Sequence, residues 1–174
     1  IRQPSLSGQE KGASLVLQTY MKEQGVFDTI QVDDYGNTLA SIKGDRPGPV
    51  VLFDGHIDTV PVEDETAWTY PPFAGDIHGN RLYGRGASDM KGALAAMTVG
   101  AVQFARQTKK KFAGTLYIAA VVHEECFEGV AARAISQAIR PDYVIIGEAS
   151  GLDLKVGQRG RAEIVLESKG KSCH

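Results

Sequence analysis

Three strand-length apolar runs constrain this chain most: PVVLF at 49–53, TLYIAAVV at 115–122 and YVII at 143–146. Each is bounded by turn residues, and helix-patterned segments lie between them. Strand, helix, strand, helix, strand predicts an α/β fold: a mainly parallel sheet with helices on both faces. In such sheets the functional groups collect at the C-terminal ends of the strands, where the crossover loops begin. The residues just past each run therefore carry the most information. GHID comes after the first, HEEC after the second and GEAS after the third.

The elements around this core can be read from local patterns. Ser7 and Glu10 have capping-box spacing, and Leu15, Val16, Tyr20 and Met21 recur at helical intervals, which predicts a helix from about Gly8 to Gly25. TIQVD and TLASIK, separated by DYGN, read as a hairpin. GDRPGP reads as a loop before the PVVLFDG strand, and residues 61–87, rich in Pro and Gly, as a long irregular excursion. SDMKGALAAMTVGAVQFARQT reads as a helix capped by Ser88 or Asp89, and a shorter one ends near Ile139.

Composition narrows the partners. Nineteen basic and 21 acidic residues leave a formal charge of −2, which gives nucleic acid or an anionic membrane no electrostatic purchase. No apolar run reaches the ~20 residues that span a bilayer. Two cysteines, Cys126 and Cys173, are too few for a disulfide framework, so reduced thiols in the cytoplasm are the expected setting.

The rim carries His56, Asp58, Asp89, Glu124, Glu125 and Glu148. His56 and Asp58 are two apart on an extended chain and so point to one side. By themselves they could be a hydrogen-bonded pair, Asp89 a helix cap, and Glu124 and Glu125 a solvated turn. Together, this many carboxylates resist ionisation beside one another unless a cation joins them. A nitrogen-plus-carboxylate donor set without cysteine suits Zn²⁺, with Co²⁺ or Mn²⁺ as substitutes, and two ions account for the ligand count better than one. His123 reads as positional, His78 as solvent-exposed and Cys126 as a small buried residue.

GHIDTVP, YGRGASDMKG, HEE and GEAS, in this order and spacing, resemble the dinuclear-zinc metallopeptidase family of acetylornithine deacetylase, succinyl-diaminopimelate desuccinylase and carboxypeptidase G. The resemblance implies His56 and Glu148 as ligands of one zinc, Glu125 as a ligand of the other, and Asp89 as the bridge. It implies Asp58 behind His56, Glu124 as general base, and a cis peptide at Asp89–Met90. It further implies a catalytic domain over 1–157, continued beyond this sequence, and the first strand of a lid and dimerisation domain over 158–174. His174 resembles the lid histidine that reaches the partner subunit's site in the homodimer. A final metal-binding histidine has no counterpart here. The implied reaction is hydrolysis of an amide in an N-acyl amino acid or small peptide, and Glu148 in place of aspartate leans towards a deacylase or carboxypeptidase. Two alternatives stand beside it: an amidohydrolase of N-carbamoyl or ureido compounds, and a non-catalytic domain that keeps the fold.

Overall fold

The structure, a computed structural model, describes residues 1–127, 129–158, 160, 162 and 164–171. Helix α1 spans Lys11–Gln24 and ends at Gly25, whose left-handed φ of 67° lets its N–H return to the Lys22 carbonyl. Met21 on its inner face is fully buried. The helix starts three residues later than its sequence predicts, because the capping box does not form. Glu10 occupies the cap position without capping through its side chain, and the Ser7 hydroxyl donates instead to Asp58 at 2.7 Å.

Strands β1 (Thr29–Val32) and β2 (Thr38–Lys43) form the expected hairpin, registered from Thr29↔Ser41 to Val32↔Thr38. The Asp33 carboxylate closes its turn by accepting the N–H groups of Tyr35 and Asn37. Strand β3 covers Arg46–His56, so the last four residues of the predicted GDRPGP loop are extended chain. An irregularity between Arg46 and Val50 shifts its register against the neighbouring strand at Ala113–Val121. The 61–87 excursion contains a short 3₁₀ turn, Glu65–Ala67, and a small hairpin of β4 (Asp76–His78) and β5 (Arg81–Tyr83). His78 is exposed as expected, and its ring also stacks on Tyr70 at 3.9 Å between centroids.

Helix α2 (Lys91–Thr108) buries Leu94, Thr98, Ala101, Val102 and Ala105, a single stripe at helical spacing. It packs on β3 and on β6 (Ala113–Val121). Neither Ser88 nor Asp89 caps it; Met90 holds the cap position, and the Asp89–Met90 peptide is cis. Helix α3 (Val130–Ile139) packs against β6 and leads to β7 (Tyr143–Ile146).

The five-stranded sheet has the order β1-β2-β6-β3-β7. It is mainly parallel as expected: β6/β3 and β3/β7 pair parallel, β1 runs in the same direction, and β2 alone of the five opposes them, so β1/β2 and β2/β6 are antiparallel. The parallel half is the part joined by helical crossovers. The tight hairpin delivers β2 to β6 in the opposite direction. Ile42, Leu52, Ile118, Ala119 and Ala120 carry the sheet's share of the core, closed by Met21, Leu94 and Ile135. The side chains of β7 are exposed. Beyond it, the described residues of 152–171 form neither helix nor strand, so the strand expected in RAEIVLESKG is not seen in its described part. A strand requires a ladder partner, and no described strand pairs there. Cys173 and His174 lie outside the described residues.

Candidate metal centre

Because β3, β6 and β7 run parallel, their C-terminal ends share one rim. His56 is the last residue of β3 and pairs with Val121, the last of β6; Glu124 and Glu125 come on the next turn, and Glu148 lies two residues past β7. Asp89 arrives from the chain entering α2. The strand-end rule thus brings together five groups from well-separated parts of the chain.

His56, 2% exposed, is the common point. Its Nδ1–H donates to the Asp58 main-chain carbonyl at 2.9 Å, with the Asp58 carboxylate further off at 3.5 Å. Its Nε2 faces Asp89 at 2.9 Å, Glu148 at 3.7 Å and Glu124 at 3.9 Å. Two groups of potential ligand atoms, each within 4.8 Å, share this ring: His56, Glu124 and Glu148, and His56, Asp89 and Glu125.

Asp58 is placed differently from a simple partner of the imidazole. Fully buried, it accepts the backbone N–H of Glu124 on one oxygen and that of Glu125 on the other, both at 3.1 Å, and the Ser7 hydroxyl as well. Burial opposes its charge, yet the hydrogen bonds from His56, Ser7 and the two amides hold it below the usual carboxylate range.

The acidic groups at the mouth behave oppositely. Burial raises Glu124, Glu125 and Glu148, and the charges of neighbouring carboxylates raise each further, against the pull of His56. For His56, burial disfavours the charged ring, but hydrogen bonds to Asp58 and Asp89 prevail and push it up to about 9. Without a cation, then, the site holds protons that its own geometry does not favour losing. One imidazole nitrogen amid several carboxylate oxygens, crowded enough to resist ionisation, is a donor set that a hard or borderline divalent cation would satisfy.

The six rim residues singled out in the sequence are all here. Cys126 is exposed, not the buried small residue expected; it sits on the tight turn after β6, with Sγ 3.8 Å from His123 Nδ1. His123 belongs to neither ligand group. Asp54 was overlooked. Burial and the neighbouring Glu148 charge push it up to about 6, and its buried Oδ1 has no hydrogen-bond partner among the described residues. Its signal was the two-residue alternation on β3, which puts it on the same side as His56.

The model of peptidase family M20/M25/M40 matches residues 52–170. The chain belongs to this family. Succinyl-diaminopimelate desuccinylase 2 from Ruegeria sp. (strain TM1040) is 34% identical over 177 residues, covering 95% of this chain and 44% of that protein. This M20 chain therefore spans less than half the length of that curated relative. Among solved structures, the M20 family metallo-carboxypeptidase Sso-CP2 from Sulfolobus solfataricus superposes with a TM-score of 0.69 at 21% identity, covering 84% of this chain and 35% of that one. A dinuclear metal-binding M20 peptidase from Bacillus subtilis gives a TM-score of 0.56 at 24% identity, over 79% of this chain and 36% of that one. At these identities the likeness is one of fold. Among the described residues, no helix is long and apolar enough to cross a membrane.

Proposed function

We propose that this M20 chain supplies the metal-binding part of a hydrolase that cleaves an amide bond in an N-acyl amino acid or small peptide, an N-succinyl amino acid being the substrate type suggested by the 34%-identical relative. The observation that carries this reading is the convergence of Asp89, Glu124 and Glu148 on one buried imidazole, with Glu125 in the second ligand group. His56, Asp89, Glu125 and Glu148 would hold two Zn²⁺ ions, with Asp89 serving both ligand groups. Divalent ions bound there would supply Lewis acidity, making a nearby water easier to deprotonate and polarising the scissile carbonyl.

The rest is the work of this chain's own side chains. Glu124, raised towards neutrality by burial, accepts the proton of the attacking water and returns it to the leaving amine. Asp58 fixes the directions of Glu124 and Glu125 through their amides and holds the His56 ring from behind. In the same proposal, residues 1–157 belong to the catalytic domain, 158–174 begin a lid through which a homodimer forms, and His174 steadies the oxyanion in the partner subunit's site. A cytoplasmic setting agrees with the free thiol of Cys126.

The test is Glu124→Gln in the full-length protein, assayed on N-succinyl, N-acetyl and N-carbamoyl amino acids. Metal content should stay as in the unaltered protein while turnover falls by about 10²–10⁴-fold. Retained turnover contradicts the role of Glu124, and preference for N-carbamoyl substrates replaces this substrate class.

A further inference from the structure

Ser7 and Glu10 carry the spacing of a helix cap, yet neither side chain caps α1. Ser7 donates to Asp58 instead, and Glu10 accepts the N–H of Gly8 at 2.9 Å and that of His123 in the turn after β6. Three successive N–H groups there point at acidic side chains: His123 at Glu10 Oε1, Glu124 at Asp58 Oδ1 and Glu125 at Asp58 Oδ2, all at 3.1 Å. Glu10 is 5% exposed and Asp58 0%, so water does not compete strongly for either. The turn needs this support, since His123 sits at φ 58°, a region disfavoured for a residue with a Cβ.

Ser7 acts one step back. Its hydroxyl donates to Asp58 Oδ2 at 2.7 Å, the oxygen that also accepts from Glu125. Both Asp58 oxygens accept amides, and the shorter Ser7 bond adds a third hold on the orientation of the carboxylate. The same N-terminal segment clasps the His56 loop: Ser5 accepts the Thr59 N–H on its carbonyl at 2.9 Å and donates its hydroxyl to the Ile57 carbonyl at 2.6 Å. Lys91, two residues after Asp89, donates to the Ser5 hydroxyl at 3.0 Å and to the Gln3 carbonyl at 3.1 Å. Residues 3–10 thereby touch all three segments that bring Asp58, Asp89 and Glu124–Glu125 to the rim.

We propose that Ser7 and Glu10 are positioning residues for the reaction, Ser7 by orienting Asp58 and Glu10 by holding the His123 amide, so that the adjacent Glu124 and Glu125 diverge to their separate tasks. This rests on the roles given above to Glu124 and Glu125. Groups that orient ligands from behind typically cost about 10–100-fold in metal affinity or activity when removed.

The experiment compares Ser7→Ala, Ser7→Thr, Glu10→Ala and Glu10→Gln in the full-length protein, reading amide hydrogen exchange without metal, Zn²⁺ affinity by chelator competition, and kcat and KM. Ser7→Ala should speed exchange at Glu124 and Glu125, and Glu10→Ala at His123. Each should lose about 10–100-fold in Zn²⁺ affinity or kcat with KM little changed. Ser7→Thr keeps a hydroxyl and Glu10→Gln keeps an acceptor oxygen, so both should recover most of the loss. Unchanged exchange and affinity in the alanine variants overturns the proposal, as does failure of threonine and glutamine to outperform alanine. Exchange and Zn²⁺ affinity need no substrate, so they decide the matter even if no amide is hydrolysed.

Discussion

Asp58 accepts the N–H of Glu125, 67 residues further along the chain, at 3.1 Å, and does so from a fully buried position. One side chain thus ties the end of β3 to the turn after β6. Asp58→Ala would take the shared acceptor from two half-buried amides and the Ser7 hydroxyl, which water can replace only in part. Denaturant unfolding of the metal-free protein should show a loss of about 1–3 kcal/mol. Asp58→Asn, which keeps one acceptor, should fall between it and the parent.

Metal binding should release protons. His56 is held up at about 9, so at pH 7.5 its ring is charged, and a charged ring offers no lone pair to a cation. Titrating Zn²⁺ into metal-free protein in buffers of different ionisation heat should give about one proton released from His56. Affinity should climb with pH until about 9 and then level off. Without metal the linkage has the opposite consequence for stability. A raised histidine stabilises the fold fully below its ordinary value near 6.5, and that contribution disappears as pH rises through about 9.

Gly114 should be intolerant of any side chain. It sits at φ 93° beside the register shift of β3 against β6, and a Cβ there would collide with the Pro49 carbonyl oxygen. Gly79 has φ 61° but open space around it. Gly114→Ala should therefore destabilise by well over the ~1 kcal/mol expected for Gly79→Ala, where only the backbone conformation is disfavoured. Thermal unfolding of the two variants side by side checks this.

Most of the elements were legible because their signals are local. The 94, 98, 101, 102, 105 stripe of α2 and the apolar runs of β3, β6 and β7 need no knowledge of the rest of the chain. The convergence on His56 was legible for a different reason: parallel strands oblige their ends to meet. What escaped were choices made by tertiary partners. Ser7 and Glu10 fit a local cap, but a buried carboxylate and a left-handed turn compete for them more strongly. The antiparallel pairing of β2 with β6 joins residues as distant as Thr38 and Ala120, beyond the reach of any periodicity.

The proposed function requires that divalent cations be what these side chains gather around. Anomalous diffraction at the zinc edge, on crystals of the full-length protein loaded with Zn²⁺, tests it directly. Two peaks are predicted, with Asp89 between them, His56 and Glu148 on one and Glu125 on the other. Zinc bound elsewhere on the surface, or a single ion that Asp89 does not touch, would contradict it.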